Sequence, residues 1–83
     1  MSYVLSEHAE TTIREREIAR EWIDDAMSAP DLQLPHESDE TLRYALKRIP
    51  DFGDRVLRVI YNATTEPPVI VTAYFDRTMK GKP

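Results

Sequence analysis

No cysteine occurs among the 83 residues, so neither a disulfide nor a thiolate metal site can hold this chain together. A chain of this length buries only about 60% of the surface its unfolded form exposes. Self-association or a bound partner is the remaining source of extra stability. Long apolar stretches are missing too: the longest aliphatic run, Val69-Ile70-Val71, falls far short of the roughly 18 residues of a membrane span. No charged segment leads into an apolar one at the N-terminus, so a cytoplasmic location with no membrane association is the expectation. Only two glycines are present, and no Gly-rich phosphate loop, paired metal-ligand motif or nucleophile motif is found. His8 and His36, the only histidines, stand far apart in sequence. Metal-dependent and nucleotide-binding enzymes are disfavoured on these grounds, and no cofactor or metal is expected. Repeats, low-complexity tracts and linkers are absent, and the composition, 41% hydrophobic and 31% charged, suits one domain spanning residues 1–83.

What is present is an uneven charge distribution. Residues 1–41 carry three arginines against eleven acids, a net −8, whereas residues 42–83 carry eight basic residues against four acids, a net +4. The overall charge of −4 argues against a nucleic-acid binder. The split nevertheless allows a basic half to meet a polyanion while an acidic half repels it. Acidic solvated helix faces would give the same asymmetry with no function attached.

Helical periodicity opens the chain. Ser6 is placed to cap a helix over about 6–16, and Leu5, Ala9 and Ile13 recur every four residues along one stripe, with His8, Thr12 and Arg16 along its border. Ala19, Trp22, Ile23, Ala26 and Met27 form a second stripe, over about 18–29, ended by Pro30. The stripes are out of phase by something near a quarter turn, which predicts a break near Glu17 and Ile18 although no Gly or Pro marks it. Leu32 and Leu34 alternate as a short edge strand, about 31–35. Residues 41–49 fit either a helix (Leu42, Ala45, Leu46, Ile49) or a strand (Leu42, Tyr44, Leu46). Two β-branched and aromatic runs, about 55–62 and 69–76, flank a loop rich in turn formers and read as an antiparallel pair. Strict alternation puts Leu57, Val59 and Tyr61 toward the helices and Val56, Arg58 and Ile60 away from them. On the second run it groups Val69, Val71, Ala73 and Phe75 apart from Ile70, Thr72, Tyr74 and Asp76. Residues 77–83 read as a frayed basic tail. The class is α+β: two N-terminal helices on one face of a twisted antiparallel sheet of three to four strands.

The chemistry-bearing residues form a loose set: His8, Arg16, Lys47, Arg48, Arg58, Thr72, Tyr74 and Arg77. A metal-independent ribonuclease needs such types. One group takes the ribose 2′-hydroxyl proton, another protonates the leaving oxygen, and cations stabilise the charge on phosphorus. His8 suits acid or base work because its unperturbed pKa lies near neutrality. A histidine at a helix border held for structure gives the same pattern.

Ser6-Glu7-His8-Ala9, then Arg16, Ile18 and Pro30, resemble the start of a prokaryotic family, the domain of unknown function numbered 4258. Arg48-Ile49-Pro50, Arg55-Val56-Leu57-Arg58-Val59-Ile60-Tyr61-Asn62, Pro67-Pro68 and Val71-Thr72-Ala73-Tyr74-Phe75-Asp76-Arg77 resemble that family's closing strands almost residue for residue. The family pattern often has an arginine at the position of Thr12 and a glycine at that of Glu17. The resemblance implies kinship with small toxin ribonucleases of the RelE, ParE and BrnT kind, hence two helices before a twisted antiparallel sheet (RelE/barnase-like) and a strand at 41–49. Two functional classes follow. One is a toxin-like nuclease with RNA along the basic half, His8, Arg16, Arg58, Thr72, Tyr74 and Arg77 as its catalytic set, and an antitoxin-like protein partner. The other is a non-catalytic interaction module, a homodimer or partner-bound component, with Ile60, Ile70 and Tyr74 as its contact patch.

Overall fold

Ser6 starts the first helix as its side chain requires, its Oγ accepting from the backbone N–H of Ala9 at 3.1 Å in a computed structural model that describes residues 2–79. Strand β1 (Val4–Leu5) precedes helices α1 (Glu7–Glu15) and α2 (Arg20–Ser28). Strands β2 (Leu32–Pro35), β3 (Leu42–Ile49), β4 (Arg55–Asn62) and β5 (Val69–Asp76) follow, with 3-10 turns at Pro50–Phe52 and Arg77–Met79. The sheet order is β1-β5-β4-β3-β2. All neighbours are antiparallel except β1, which runs parallel to β5.

Three expectations change here. The sheet has five strands rather than three or four, it is mixed rather than purely antiparallel, and the helices are not the first elements. All three trace to β1, whose two residues are too few to show any alternation. It is tied in by backbone bonds from Val4 N–H to the Pro68 carbonyl (2.9 Å) and from Ser6 N–H to the Ile70 carbonyl (3.0 Å). The stretch read as a frayed tail starts as the ordered turn Arg77–Met79, and its residues 80–83 lie outside the described residues. Among the described residues no helix is long and apolar enough to cross a membrane.

The helix break near Glu17 has a local cause. Glu17 adopts φ 54°, and two reversed bonds close α1: Ile18 N–H to the Ile13 carbonyl at 3.0 Å and Glu17 N–H to the Arg14 carbonyl at 3.2 Å. This pair is the Schellman arrangement, completed by the contact of Ile13 with Ile18 inside the core. A side chain in that left-handed region costs about 1–2 kcal/mol, part of which glycine's freer unfolded chain cancels. Glu17→Gly is therefore expected to stabilise the domain by about 0.5–1 kcal/mol and raise the thermal midpoint by about 4 °C. A lower midpoint in a calorimetric scan would contradict the motif.

Both helices pack on one face of the sheet. Ala9, Ile13, Ile18, Ile23, Ala26 and Met27 meet Ala45, Ile49, Leu57, Val59, Tyr61, Ile70 and Ala73. Alanines at 9, 26, 45 and 73, all at most 1% exposed, let the backbones approach closely. Lys47 sits on the same side, where its Nζ donates to the Ala29 carbonyl at 3.0 Å, complementing the C-terminal end of α2.

Alternation fails in β5 because of a bulge. Ile60 opposes Thr72 but Tyr61 opposes Ile70, so Val71 is extra and the faces exchange across it. Ile70 therefore joins Ala73 and Phe75 on the helix side, fully buried, instead of lying beside Thr72 and Tyr74. The proposed contact patch loses its central member.

Nor is the far face bare. Tyr44, Leu46 and Val56 form a second cluster with Leu34 and Ile60, and Leu46 and Val56 are fully buried. The His36 ring stacks on Tyr44 at 5.3 Å, and the Tyr44 hydroxyl donates to Glu37 Oε2 at 2.9 Å, folding the 36–40 loop over this end. Burial raises the Tyr44 phenol pKa, and donating to Glu37 raises it further, while that bond holds the Glu37 carboxyl below its ordinary range.

Candidate functional site

β1 covers only Val69 and Ile70, so the rest of β5 has a neighbour on one side alone. At this open edge Arg16, which caps α1, donates from Nη1 to the Ala73 carbonyl at 2.9 Å. Its guanidinium lies 6.0 Å from the centre of the Tyr74 ring. The bond satisfies one strand-edge acceptor and fixes a long, otherwise free side chain.

Beyond Arg16 opens a cleft of about 560 Å³ lined by Arg16, Arg55, Tyr74, Phe75, Asp76 and Arg77. Arg16, Arg55 and Arg77 are exposed, and none forms an ion pair among the described residues. Asp76, the one lining carboxylate among the described residues, is already committed. Its Oδ2 is 2.7 Å from Arg58 Nη2 and accepts from Arg58 Nε at 2.9 Å, while its Oδ1 accepts from the Thr78 hydroxyl at 2.6 Å and the Thr78 N–H at 2.9 Å. The Thr78 hydroxyl bond chiefly, with the amide and Arg58, holds the Asp76 carboxyl below the ordinary aspartate range against the opposing effect of burial. The cleft therefore keeps three uncompensated cations in a molecule whose net charge is −4. Fixed positive groups at a concave, partly apolar wall attract anions more strongly than the same groups scattered over a surface.

The residues singled out from the sequence separate into three groups. Arg16, Tyr74 and Arg77 line the cleft. Arg58 does not: it is about 14% exposed, paired with Asp76 and stacked 4.4 Å over the Tyr44 ring, so its charge and donors serve the far-face cluster. Thr72 is half-buried opposite Ile60 and His8 is exposed in the first turn of α1, with Nε2 3.4 Å from Thr12 Oγ1. Neither lines the cleft. His8 stands eight positions before Arg16, about 12 Å along a helix axis, on the far side of Thr12 from the cleft-lining end of α1. Arg48 and Lys47 are also elsewhere, the latter beside Asp31 and the end of α2.

Arg55 and Phe75 also line the cleft, and neither carries a signal in the sequence. Arg55 begins β4 directly after the turn through Gly53 (φ 66°) and Asp54 (φ 57°), and its partner strand returns Phe75 opposite Leu57, two positions along β4. Cross-strand register brings them together, and register is not visible in either segment read alone. Among the described residues no group of three His, Asp or Glu side chains lies close enough to hold a metal ion.

No curated protein and no solved structure matches the chain. The edge that builds the cleft, from Arg16 at the end of α1 to Phe75 in β5, lies within residues 5–75, which match the family model described as Domain of unknown function (DUF4258), and the chain belongs to that family.

Proposed function

We propose that this domain binds single-stranded RNA, with phosphates at Arg16, Arg55 and Arg77. The observation that carries the reading is the convergence of these three arginines on one cleft whose only carboxylate among the described residues is neutralised by Arg58. Tyr74 and Phe75 in the same wall favour a nucleic acid over a simple anion, since exposed bases stack on aromatic faces. An open groove at a strand edge suits a single strand, whose bases can be splayed, better than a duplex.

A second reading, metal-independent cleavage, is favoured by the position of the Tyr74 phenol beneath the Arg16 guanidinium. In it the 2′-oxygen attacks phosphorus, the bond to the 5′-oxygen breaks, and a 2′,3′-cyclic phosphate and a 5′-hydroxyl result. Tyr74 would give its hydroxyl proton to the leaving 5′-oxygen and regain one from water, a water molecule would take the 2′-hydroxyl proton, the arginines would stabilise the charge gained by the phosphoryl oxygens, and His8 would stand outside the reaction. A kinship of this family with toxin ribonucleases of the RelE, ParE and BrnT kind, which the resemblance of the closing strands to the family implies, would support this reading. An antitoxin-like partner would then act by covering the same arginines with acidic side chains. A homodimer would have to form elsewhere, away from the cleft.

Binding of a labelled RNA oligomer should weaken linearly with the logarithm of salt concentration. Replacing all three arginines by glutamine should reduce that slope by about 2, roughly 0.7 for each lost contact to a single strand. An unchanged slope overturns the binding reading. In chelator, cleavage that disappears with a 2′-deoxy substrate and with Tyr74→Phe supports the second reading, and intact RNA on a binding-competent protein rejects it.

A further inference from the structure

We propose that Arg55, held over the Phe52 ring, is a nucleobase-stacking platform at the mouth of the cleft, so that the bound strand is gripped by a base as well as by its phosphates. This rests on the RNA-binding reading above and goes beyond it, because phosphate contacts alone need neither Phe52 nor a planar cation.

Phe52 ends the 3-10 turn between β3 and β4 and is 38% exposed, one of few large apolar side chains so placed among the described residues. Folding alone would favour covering it. Its ring lies 4.9 Å from Phe75 and 5.3 Å from Trp22, and Trp22 meets Phe75 edge-on at 5.8 Å, so it is anchored at the outer end of an aromatic cluster. The Arg55 guanidinium carbon sits 4.5 Å from the Phe52 ring centre. At that distance the cation is drawn to the ring face, and the stack restrains a side chain that would otherwise sample many rotamers.

Arg55 and Phe75 both face the cleft, so the stack continues into its wall. A guanidinium plane backed by an aromatic ring is a surface on which a base can stack from the open side, with cation–π attraction added. The edge of the Arg55 guanidinium stays open to a phosphate while its face takes the base, and Arg16 and Arg77, on the same cleft but outside the aromatic cluster, take the flanking phosphates. Every base has a π-face, so this platform grips single strands with little sequence preference, and purines, with more area, hold best.

Trp22, the only tryptophan, is a built-in reporter at the back of the cluster. Its emission can follow titration with an eight-nucleotide adenine RNA and with an abasic ribose-phosphate strand of equal length. The wild-type protein is expected to bind the adenine strand about tenfold more tightly than the abasic one, from the stacking of one base. Arg55→Lys keeps the charge and loses the plane, and Phe52→Leu keeps apolar bulk and loses the ring. Each should remove most of that tenfold preference while leaving the salt dependence nearly unchanged, with thermal melts close to wild type. Equal wild-type affinity for the two strands, or a full preference in Arg55→Lys, overturns the platform and leaves the phosphate cleft standing. Binding of neither strand overturns both. A polyglutamate peptide bound as tightly as the adenine strand overturns both as well, because the cleft would then be reading acidic protein.

Discussion

Ile70→Asp is expected to abolish the folded state at 25 °C, whereas Thr72→Asp, two residues along the same strand, leaves it largely intact. Ile70 is fully buried against the helices, opposite Tyr61 and beside Leu5 of β1. Losing its packing costs about 2–5 kcal/mol, as for other large-to-small core changes. Burying an unpaired carboxylate, too short to reach water from that position, adds several kcal/mol more or is relieved only by protonation at a similar cost. Small domains hold about 5 kcal/mol of stability at the lower end, so the sum exceeds the reserve. Thr72 is half-buried on the other face, and a polar exchange there stays within the roughly 1 kcal/mol span of strand preference. Far-ultraviolet circular dichroism and urea titration of the two variants would decide it. Similar behaviour of the two would mean that simple alternation continues through β5 and that no bulge exists at Val71.

The same bulge marks where reading the sequence stops. The β-branched and aromatic runs of β4 and β5 announce themselves, because each residue choice suits a pleated surface. A single inserted residue in the ladder leaves no trace in composition, yet it moves Ile70 from one face to the other. β3 was ambiguous for a different reason. It lies between β2 and β4 and is buried on both faces, Ala45 and Ile49 toward the helices and Tyr44 and Leu46 away from them, so the alternation that identifies a half-buried strand is erased. The turn at Glu17 was visible only through the phase change between helical stripes, since its left-handed residue is not the glycine that normally signals it. As for the cleft, Arg16, Tyr74 and Arg77 could be chosen by residue type. Arg55 could not, because its membership comes from register, and the pairing that turns Arg58 away from the cleft is equally hidden, because its partner Asp76 belongs to another strand.

That last distinction leads to the second large effect. Arg58→Ala is expected to lower stability by about 3 kcal/mol, the low end of the cost of breaking a buried ion pair because some solvent still reaches it, and to lower the thermal midpoint by about 15 °C. Asp76 and Arg58 are only 12% and 14% exposed, so the carboxylate left behind has little water to replace its lost partner, and Tyr44 loses the guanidinium stacked on its ring. Removing both charges with Arg58→Met and Asp76→Leu together should recover much of the loss, since neither ion then remains unpaired. Acid titration supplies an independent check. The Asp76 carboxyl is held below its unfolded value, so its contribution is fully present above about pH 4 and is lost as pH falls through the folded-state value. Asp76→Asn should therefore flatten the acid limb of the stability curve without affecting neutral-to-basic behaviour beyond a constant offset. RNA affinity separates this pair from the cleft: below its melting temperature the double variant Arg58→Met with Asp76→Leu, which leaves no bare carboxylate in the cleft, should keep nearly the full salt slope, while Arg16→Gln should lose part of the slope with a small change in melting temperature. If the double variant instead lost binding while keeping its stability, Arg58 would itself be a phosphate contact, released from Asp76 in the bound state.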